Sequence, residues 1–394
     1  MKIISINAGS SSLKFTLFEM DDESVIASGV FERIGMDGSN YTIKYNGEKI
    51  YEDVELENHT VAAKMLLSKL VDLEIIRSLY DIKGVGHRVL HGGERYHESV
   101  LINDDVIQSI KDLTPLGPLH HPGNLAGIEA FMAELPEVPM VAVYDTAFHQ
   151  TMPMENYIYA VPYKWYSEYG VRKYGFHGTS HKYIAETVKE LLGRDNFKLI
   201  SCHIGNGGSI CAIKDGKCLD TSMGFTPLAG IMMGTRSGDI DPSIIPYVME
   251  KEGKNAGEVI SDLNKVSGVL GLSEYSNDLR DLVLQCEEGN ERAIMTKNKY
   301  VRRIVDYIAQ YYVLLGGVDI IVFTAGVGEN NIPIRREICE KLACLGVKID
   351  LDLNNVRGET TKISTPDSKI DVYVIPTNEE LMIARDTLNL IKNR

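Results

Sequence analysis

The chain predicts an α/β protein built of two similar halves packed around a shared cleft, and three observations carry that reading. Short β-rich runs alternate with longer helical patterns along all 394 residues. A strand–turn–strand unit at the start recurs about half a chain later. No Ser/Gly/Pro-rich linker lies between the halves. At about 100–200 residues per domain, the length also suits two domains.

Taken in order, Ile3–Ile6 and Leu13–Phe18 read as strands joined by the turn Ala8-Gly9-Ser10-Ser11-Ser12. Helical spacing covers Thr60–Ile76, Asn124–Leu135, Ser180–Leu192, Ala293–Leu315 and Glu379–Ile391. Buried strands are expected over Val138–Tyr144, Lys198–His203, Asp319–Thr324 and Asp371–Ile375. The echo lays Ile4-Ser5-Ile6-Asn7-Ala8-Gly9-Ser10 over Ile200-Ser201-Cys202-His203-Ile204-Gly205-Asn206, each followed by a second strand (Phe15–Phe18 and Ile210–Ile213). Expected domains are 1–149 with 380–394, the last helix returning to the first half, and 150–379.

Composition bounds the function. With 41 Lys+Arg against 55 Asp+Glu the formal charge is −14, and 44% hydrophobic with 24% charged residues is the balance of a globular protein. A nucleic-acid or anionic-membrane partner would need a basic face, so neither is expected. The best apolar run, Val318–Val327, is short and cut by Asp319, so no bilayer span is expected. The opening MKIISINAGSSS is too short in its apolar part for a secretory signal, and six Cys without a CxxC pair indicate neither a disulfide framework nor a zinc site, which suits a reducing cytosol. An anionic substrate would need a local cationic pocket inside this repulsive mean field.

Three Gly-containing loops follow apolar strands: Asn7-Ala8-Gly9-Ser10-Ser11-Ser12, Gly205-Asn206-Gly207-Gly208-Ser209 and Gly326-Val327-Gly328-Glu329-Asn330-Asn331. Lacking Cβ, Gly lets backbone N–H groups approach a phosphate, although Gly and Asn also make ordinary turns. There is no G-x-x-x-x-G-K-[ST], no H-R-D or D-F-G set, and no G-x-G-x-x-G opening a helix. P-loop enzymes and protein kinases are thereby excluded, and a Rossmann dinucleotide site is unsupported.

Nine of the ten His fall between His87 and His203. Two basic clusters, Gly86 to His97 and Arg172 to His181, and a third around Arg236 are candidates for the missing anion pocket, since Arg grips carboxylate and phosphoryl oxygens bidentately. The competing reading is surface pairing of the Arg and satisfied core His. Metal ligation by His177 and His181 is disfavoured because Gly178 interrupts the pair and no H-E-x-x-H Glu is present. His120-His121 before Pro122 marks the start of a helix. Asp145, ending an apolar strand, and Glu379-Glu380 are the carboxylates with metal potential, though Thr377 or Asn378 capping the final helix explains the glutamates equally.

Several of these segments together resemble the acetokinase family. Asn7-Ala8-Gly9-Ser10-Ser11-Ser12-Leu13-Lys14-Phe15 and Gly175-Phe176-His177-Gly178-Thr179-Ser180-His181 are similar to its two signatures. The segments Asp220–Pro227, Met233–Asp239, Phe323–Asn330 and Pro376–Leu381 also match, in order along nearly the whole chain. The resemblance implies two ribonuclease-H-like domains of the actin-like ATPase kind, a homodimer, and the reaction acetate + ATP ⇌ acetyl phosphate + ADP with Mg²⁺, Mn²⁺ being possible. It places Asn7 and Glu379 at the metal and Lys14 near the phosphates. His203, Ile204, Gly205, Asn206 and Gly207, with Gly326, Val327, Gly328, Glu329 and Asn330, would form the phosphate loops. Asp278, Leu279 and Arg280 would contact the nucleoside. Arg88, Asp145, His177 and Arg236 match catalytic positions, and Leu90, Leu119, Phe176 and Pro227 match the pocket for the methyl group.

Acetate is already a carboxylate at neutral pH, so the nucleophile needs no base, and Asp145 is expected to orient an Arg or a metal-bound water instead. Leu90 stands where many relatives have Val, which should narrow the pocket in favour of acetate. Ala229 replaces a frequent Glu, Gly123 replaces a frequent second Pro, and Ser273–Asn277 departs from a Ser/Gly-rich pattern. Two alternatives stay open at this point: a propionate or other short-chain acyl kinase, and a nucleotide-dependent switch of the actin or Hsp70 kind.

Overall fold

A computed structural model describes residues 1–393. The chain divides into two compact units, Met1–Phe148 with the chain from Asn378 on, and His149–Thr377. Among the described residues, no helix is long and apolar enough to cross a membrane.

The first unit holds β1 (Lys2–Ala8), β2 (Ser12–Glu19), β3 (Ser24–Glu32), β4 (Asn40–Tyr45), β5 (Glu48–Asp53), β6 (Ile82–Val89), β7 (Val100–Leu101) and β8 (Met140–Tyr144). They form one sheet in the order β5-β4-β3-β2-β1-β6-β8-β7. Strands β1 to β5 are an antiparallel meander, while β1, β6 and β8 run parallel. The continuous apolar run Ile3-Ile4 and Ile6 suits a strand buried on both faces, and all three residues are buried. Ile4, Ile6, Leu13 and Phe15 share a core with Leu66 and Leu67 of the helix His59–Asp72 and Phe131 of the helix His121–Glu134.

Two glycines explain how β6 is buried. A Cβ on Gly84 would lie 2.3 Å from Ile391 Cδ1, and one on Gly86 would lie 2.3 Å from Thr387 Oγ1. The helix Glu379–Lys392 therefore rests on bare backbone. Asn378 caps it, its Oδ1 accepting from Leu381 N at 3.0 Å, while the two glutamates face the positive end of its dipole.

The second unit repeats the plan with β9 (Lys198–Ile204), β10 (Gly208–Lys214), β11 (Lys217–Thr221), β12 (Ile320–Thr324), β13 (Thr361–Lys362) and β14 (Asp371–Val374), ordered β11-β10-β9-β12-β14-β13. Three antiparallel strands, two parallel ones and a short antiparallel edge strand match β3-β2-β1-β6-β8-β7 of the first sheet, which carries β4 and β5 in addition. The two hairpins also correspond in position: Asn7 pairs with Lys14 in one, and His203 with Ser209 in the other. The internal echo is thus a duplicated ribonuclease-H-like sheet. The long helix Glu291–Leu314 packs on β9 and β10 through a face that buries Tyr300, Ile304, Ile308 and Tyr311.

Candidate active site

In the first unit, parallel pairing sets Arg88 of β6 opposite Val143 of β8, two residues before Asp145. Arg88 Nε donates to Asp145 Oδ1 at 3.1 Å, Nη2 donates to Oδ2, and Nη1 donates to Asn7 Oδ1 at 3.3 Å. Asp145 is 2% exposed while Arg88 is half-buried, so the acid side of this bidentate pair is withdrawn from water and fixes the guanidinium plane. Asp145's charge, together with those of Glu379 and Glu380, drives the Arg88 pKa upward despite burial. Burial, followed by the nearby Asp145 charge, pushes the Glu379 carboxyl up to about 7.

Asn7, Lys14, Arg88, Glu379 and Glu380 line a cavity of about 290 Å³. Its floor also carries Thr16, Ser28, Thr42 and Lys44, which sequence reasoning missed. Strand register explains them: Thr16 pairs with Ser28 and Ser28 with Lys44, so period-2 alternation through the meander puts them on one face. The donors here are hard oxygens, namely two carboxylates and an amide, and Glu379 is held against its own ionisation. A small hard cation such as Mg²⁺ fits that set, since it takes few protein ligands and would relieve the crowded negative charge.

In the second unit, the turn after β9 brings Gly207 between a guanidinium and an imidazole. A Cβ there would lie 3.4 Å from Arg236 Nη1 and 3.7 Å from His177 Nε2. Arg236 Nη1 donates to the Pro227 carbonyl at 3.3 Å and contacts Met233 Sδ at 3.8 Å. No carboxylate among the described residues pairs with it, and burial alone lowers its pKa. Its loop is pinned by Asp239, whose Oδ1 accepts from Gly230 N at 2.8 Å and whose Oδ2 accepts from Arg303 Nη2 at 2.9 Å.

His177 sits at φ +58°, in the left-handed region that few non-glycine residues adopt, just before the helix Gly178–Leu192. Its Nδ1 shares a hydrogen bond with Ser209 Oγ at 2.9 Å, which leaves Nε2 on the Gly207 side, and its ring stacks on His203 at 4.1 Å between centroids. Behind it, His181 bonds Ser209 through Nε2 (2.8 Å) and Ser201 through Nδ1 (2.9 Å). Burial, then the neighbouring His149 and His203, holds His181 neutral. With both ring nitrogens committed to hydroxyls, it cannot join His177 at a metal.

Gly205, Asn206, Asp278, Leu279, Arg280, Gly326, Val327 and Asn330 come together around a cavity of about 900 Å³. Asn277, Val283, Leu284, Glu287, Asn331, Pro333 and Arg357 complete its wall. Apart from Asn331, which belongs to the Gly326–Asn331 loop read from the sequence, these escaped sequence reasoning, since isolated residues carry no motif. The remaining phosphate-loop candidates do other work. Glu329 turns away, its Oε1 accepting from Ala325 N at 2.7 Å and Thr377 N at 3.1 Å. Gly328 packs against Phe323, and its carbonyl accepts from the buried Arg335 at 3.0 Å. His203 Nδ1 is bonded to Ser180 Oγ at 2.8 Å, and Ile204 is buried in β9.

Of the apolar candidates, Leu90 and Phe176 are buried, Pro227 is half-buried, and Leu119 is 73% exposed. Leu90 Cδ2 lies 3.1 Å from where a Cβ on Gly117 would stand. Gly123 also has a structural reason: a Cβ there would come 2.6 Å from the Gly9 carbonyl, so the turn after β1 lies directly on the helix start. Nothing in the structure explains Ala229.

Comparisons with known proteins agree with this geometry. The profile of the Acetokinase family matches residues 2–385. The acetate kinase of Bacillus subtilis (strain 168) is 56% identical over 393 residues, covering 99% of this chain and all of that one. Among solved structures, Porphyromonas gingivalis acetate kinase superposes with a TM-score of 0.95 at 45% identity, with 99% of both chains covered. A propionate kinase from Francisella tularensis follows at 0.93 and 41%, with the same coverage. The fold is accordingly that of the actin-like ATPases, and the chain belongs to the acetokinase family.

Proposed function

We propose that this protein is an acetate kinase, transferring the terminal phosphoryl group of ATP reversibly and directly to acetate to give acetyl phosphate and ADP. The observation that carries the reading is Arg236, a half-buried guanidinium with no acid partner among the described residues, beside His177 Nε2 and the bare backbone of Gly207. Such a cradle is complementary to the equatorial oxygens of a transferring phosphoryl group, where charge is spread in the transition state. A nucleotide switch of the actin or Hsp70 kind has no need of Arg88 oriented beside a small cavity, and the full-length relatives argue against it.

Roles follow from the chemistry of each cluster. The large cavity suits ATP, with Asp278, Leu279 and Arg280 toward the nucleoside and Gly205 to Gly207 with Gly326, Val327 and Asn330 toward the phosphates. Gly328, Glu329, His203 and Ile204 shape those loops from behind. Arg88, held by Asp145, binds the acetate carboxylate, and Leu90, Leu119, Phe176 and Pro227 are the apolar side chains that the family resemblance assigns to its methyl group. Asn7 and Glu379 would hold Mg²⁺ or Mn²⁺, whose chemistry is to neutralise phosphate charge, and Lys14 adds a positive charge on the same side. The acetate carboxylate attacks as it stands, so positioning and charge neutralisation are the whole catalytic task.

The acidic surface and free thiols support a cytoplasmic enzyme, and the family resemblance supports a homodimer. The test is to trap acyl phosphate as a hydroxamate from ATP with acetate, propionate or butyrate. Acid-dependent hydroxamate, greatest with acetate, is the expected result. ATP hydrolysis indifferent to added acid would overturn the kinase reading, and preference for propionate would move it to the neighbouring specificity.

A further inference from the structure

Apart from the residues assigned above, one buried cluster brings together two thiols and an imidazole. His149, Cys211 of β10 and Cys218 of β11 are each at most 1% exposed, and their ligand atoms all lie within 4.8 Å of one another. His149 Nδ1 is 3.2 Å from Cys218 Sγ, and the two sulfurs are 3.5 Å apart without being bonded. From these placements we propose that Cys211, Cys218 and His149 form a binding site for a thiophilic d¹⁰ cation of the Zn²⁺ class.

The tautomer supports it. His149 Nε2 lies 2.9 Å from the Phe176 carbonyl, which only accepts, so the proton sits on Nε2 and the Nδ1 lone pair faces the sulfurs. A ring nitrogen tied to a backbone carbonyl while the other is presented for ligation is the usual arrangement of a metal-binding histidine. The spacing is also right. Bonds of about 2.3 Å to sulfur and 2.0 Å to nitrogen from one centre at near-tetrahedral angles put the sulfurs about 3.8 Å apart and sulfur from nitrogen about 3.5 Å. The observed separations are each about 0.3 Å shorter, within reach of small side-chain rotations.

Charge selects the class of ion. Binding releases one proton from each thiol, and two thiolates with a neutral imidazole exactly offset a divalent cation, leaving a neutral complex where a net charge would be costly. The ligand softness excludes Mg²⁺, so this site does not compete for the hard cation placed at Glu379. An ion here would also pull on the ring that holds the Phe176 carbonyl, one residue before His177. Occupancy should therefore lower kcat.

Full-length protein is titrated with Cd²⁺, both native and during refolding from urea, the second because the site is sealed. Sulfur-to-cadmium absorption and the ¹¹³Cd resonance are read. The expected result is about one tightly held Cd²⁺ per chain with a two-sulfur, one-nitrogen resonance, displaced by Zn²⁺, kept in Cys344→Ser and lost in Cys211→Ser and Cys218→Ser. The ¹¹³Cd reading on the unmodified chain decides the matter if either serine variant fails to fold. No uptake under either condition, uptake that persists in Cys211→Ser, or a resting Cys211–Cys218 disulfide overturns the proposal.

Discussion

Arg88 in the first unit and Arg236 in the second are both largely withdrawn from water, yet they stand in opposite electrostatic states. Arg88 has its counter-charge built in: Asp145 grips it on two nitrogens and raises its pKa. Among the described residues Arg236 touches a carbonyl and a thioether and no acid, so burial works against its charge unopposed. The first pays for its desolvation within the fold; the second leaves that to a ligand. Opposed designs of this kind separate orientation from charge neutralisation. A paired guanidinium is held in one plane and stays cationic, which suits placing a carboxylate. An unpaired one gains most when an anion arrives, which suits a phosphoryl group whose charge must be met.

Substitutions can break that contrast. The largest effect is expected for Arg88→Leu, which strands the buried Asp145 carboxylate and should cost about 3–5 kcal/mol of stability in urea unfolding, besides abolishing activity. Adding Asp145→Leu should restore most of the stability and none of the hydroxamate formation. Arg236→Leu should do the reverse: kcat falls by about 10²–10³, the size of losing one transition-state donor, while urea stability holds or rises. Equal destabilisation by the two leucine substitutions would erase the distinction between the two arginines.

A pH profile sharpens the first unit's side of the comparison. Glu379 ionises near 7 in the fold against an ordinary 4.5. Between those values the folded state binds more protons than the unfolded one, so this group's stabilisation is complete below about 4.5 and is lost as pH rises through about 7. In chelator, that slope should be at most about 1.4 kcal/mol per pH unit, and it should vanish in Glu379→Gln. Added Mg²⁺ should raise Tm more at pH 8 than at pH 6. His87 runs the other way. Burial holds its pKa to about 3, so its contribution is present above 6.5 and lost as pH falls toward 3. The smallest effect is on specificity: Leu90→Val should raise propionate relative to acetate in kcat/KM by about tenfold or less, the worth of one methylene.

The readable parts of this chain were those whose chemistry is local. Both hairpins after β1 and β9 showed as apolar alternation broken by Gly-containing turns, and the long helices showed by their period. Strand β6 did not show, because Gly84 and Gly86 look like loop residues until the helix Glu379–Lys392 is laid across them, some 300 residues later. Asp145 was expected to orient an Arg or a metal-bound water, but that the Arg is Arg88 depends on the β6–β8 register. Glu329 misled for the opposite reason: it lies in a phosphate-loop segment, but its carboxylate satisfies the Ala325 and Thr377 amides.

By itself, then, the order of residues determined the α/β class, the repeat of one sheet plan and the types of side chain available to meet an anion, because periodicity and turn chemistry act over a few neighbours. Only the tertiary structure decided which arginine is paired and which is bare, and which tautomer His149 adopts. Those outcomes depend on burial and on partners brought together from distant segments, and no local interaction encodes them.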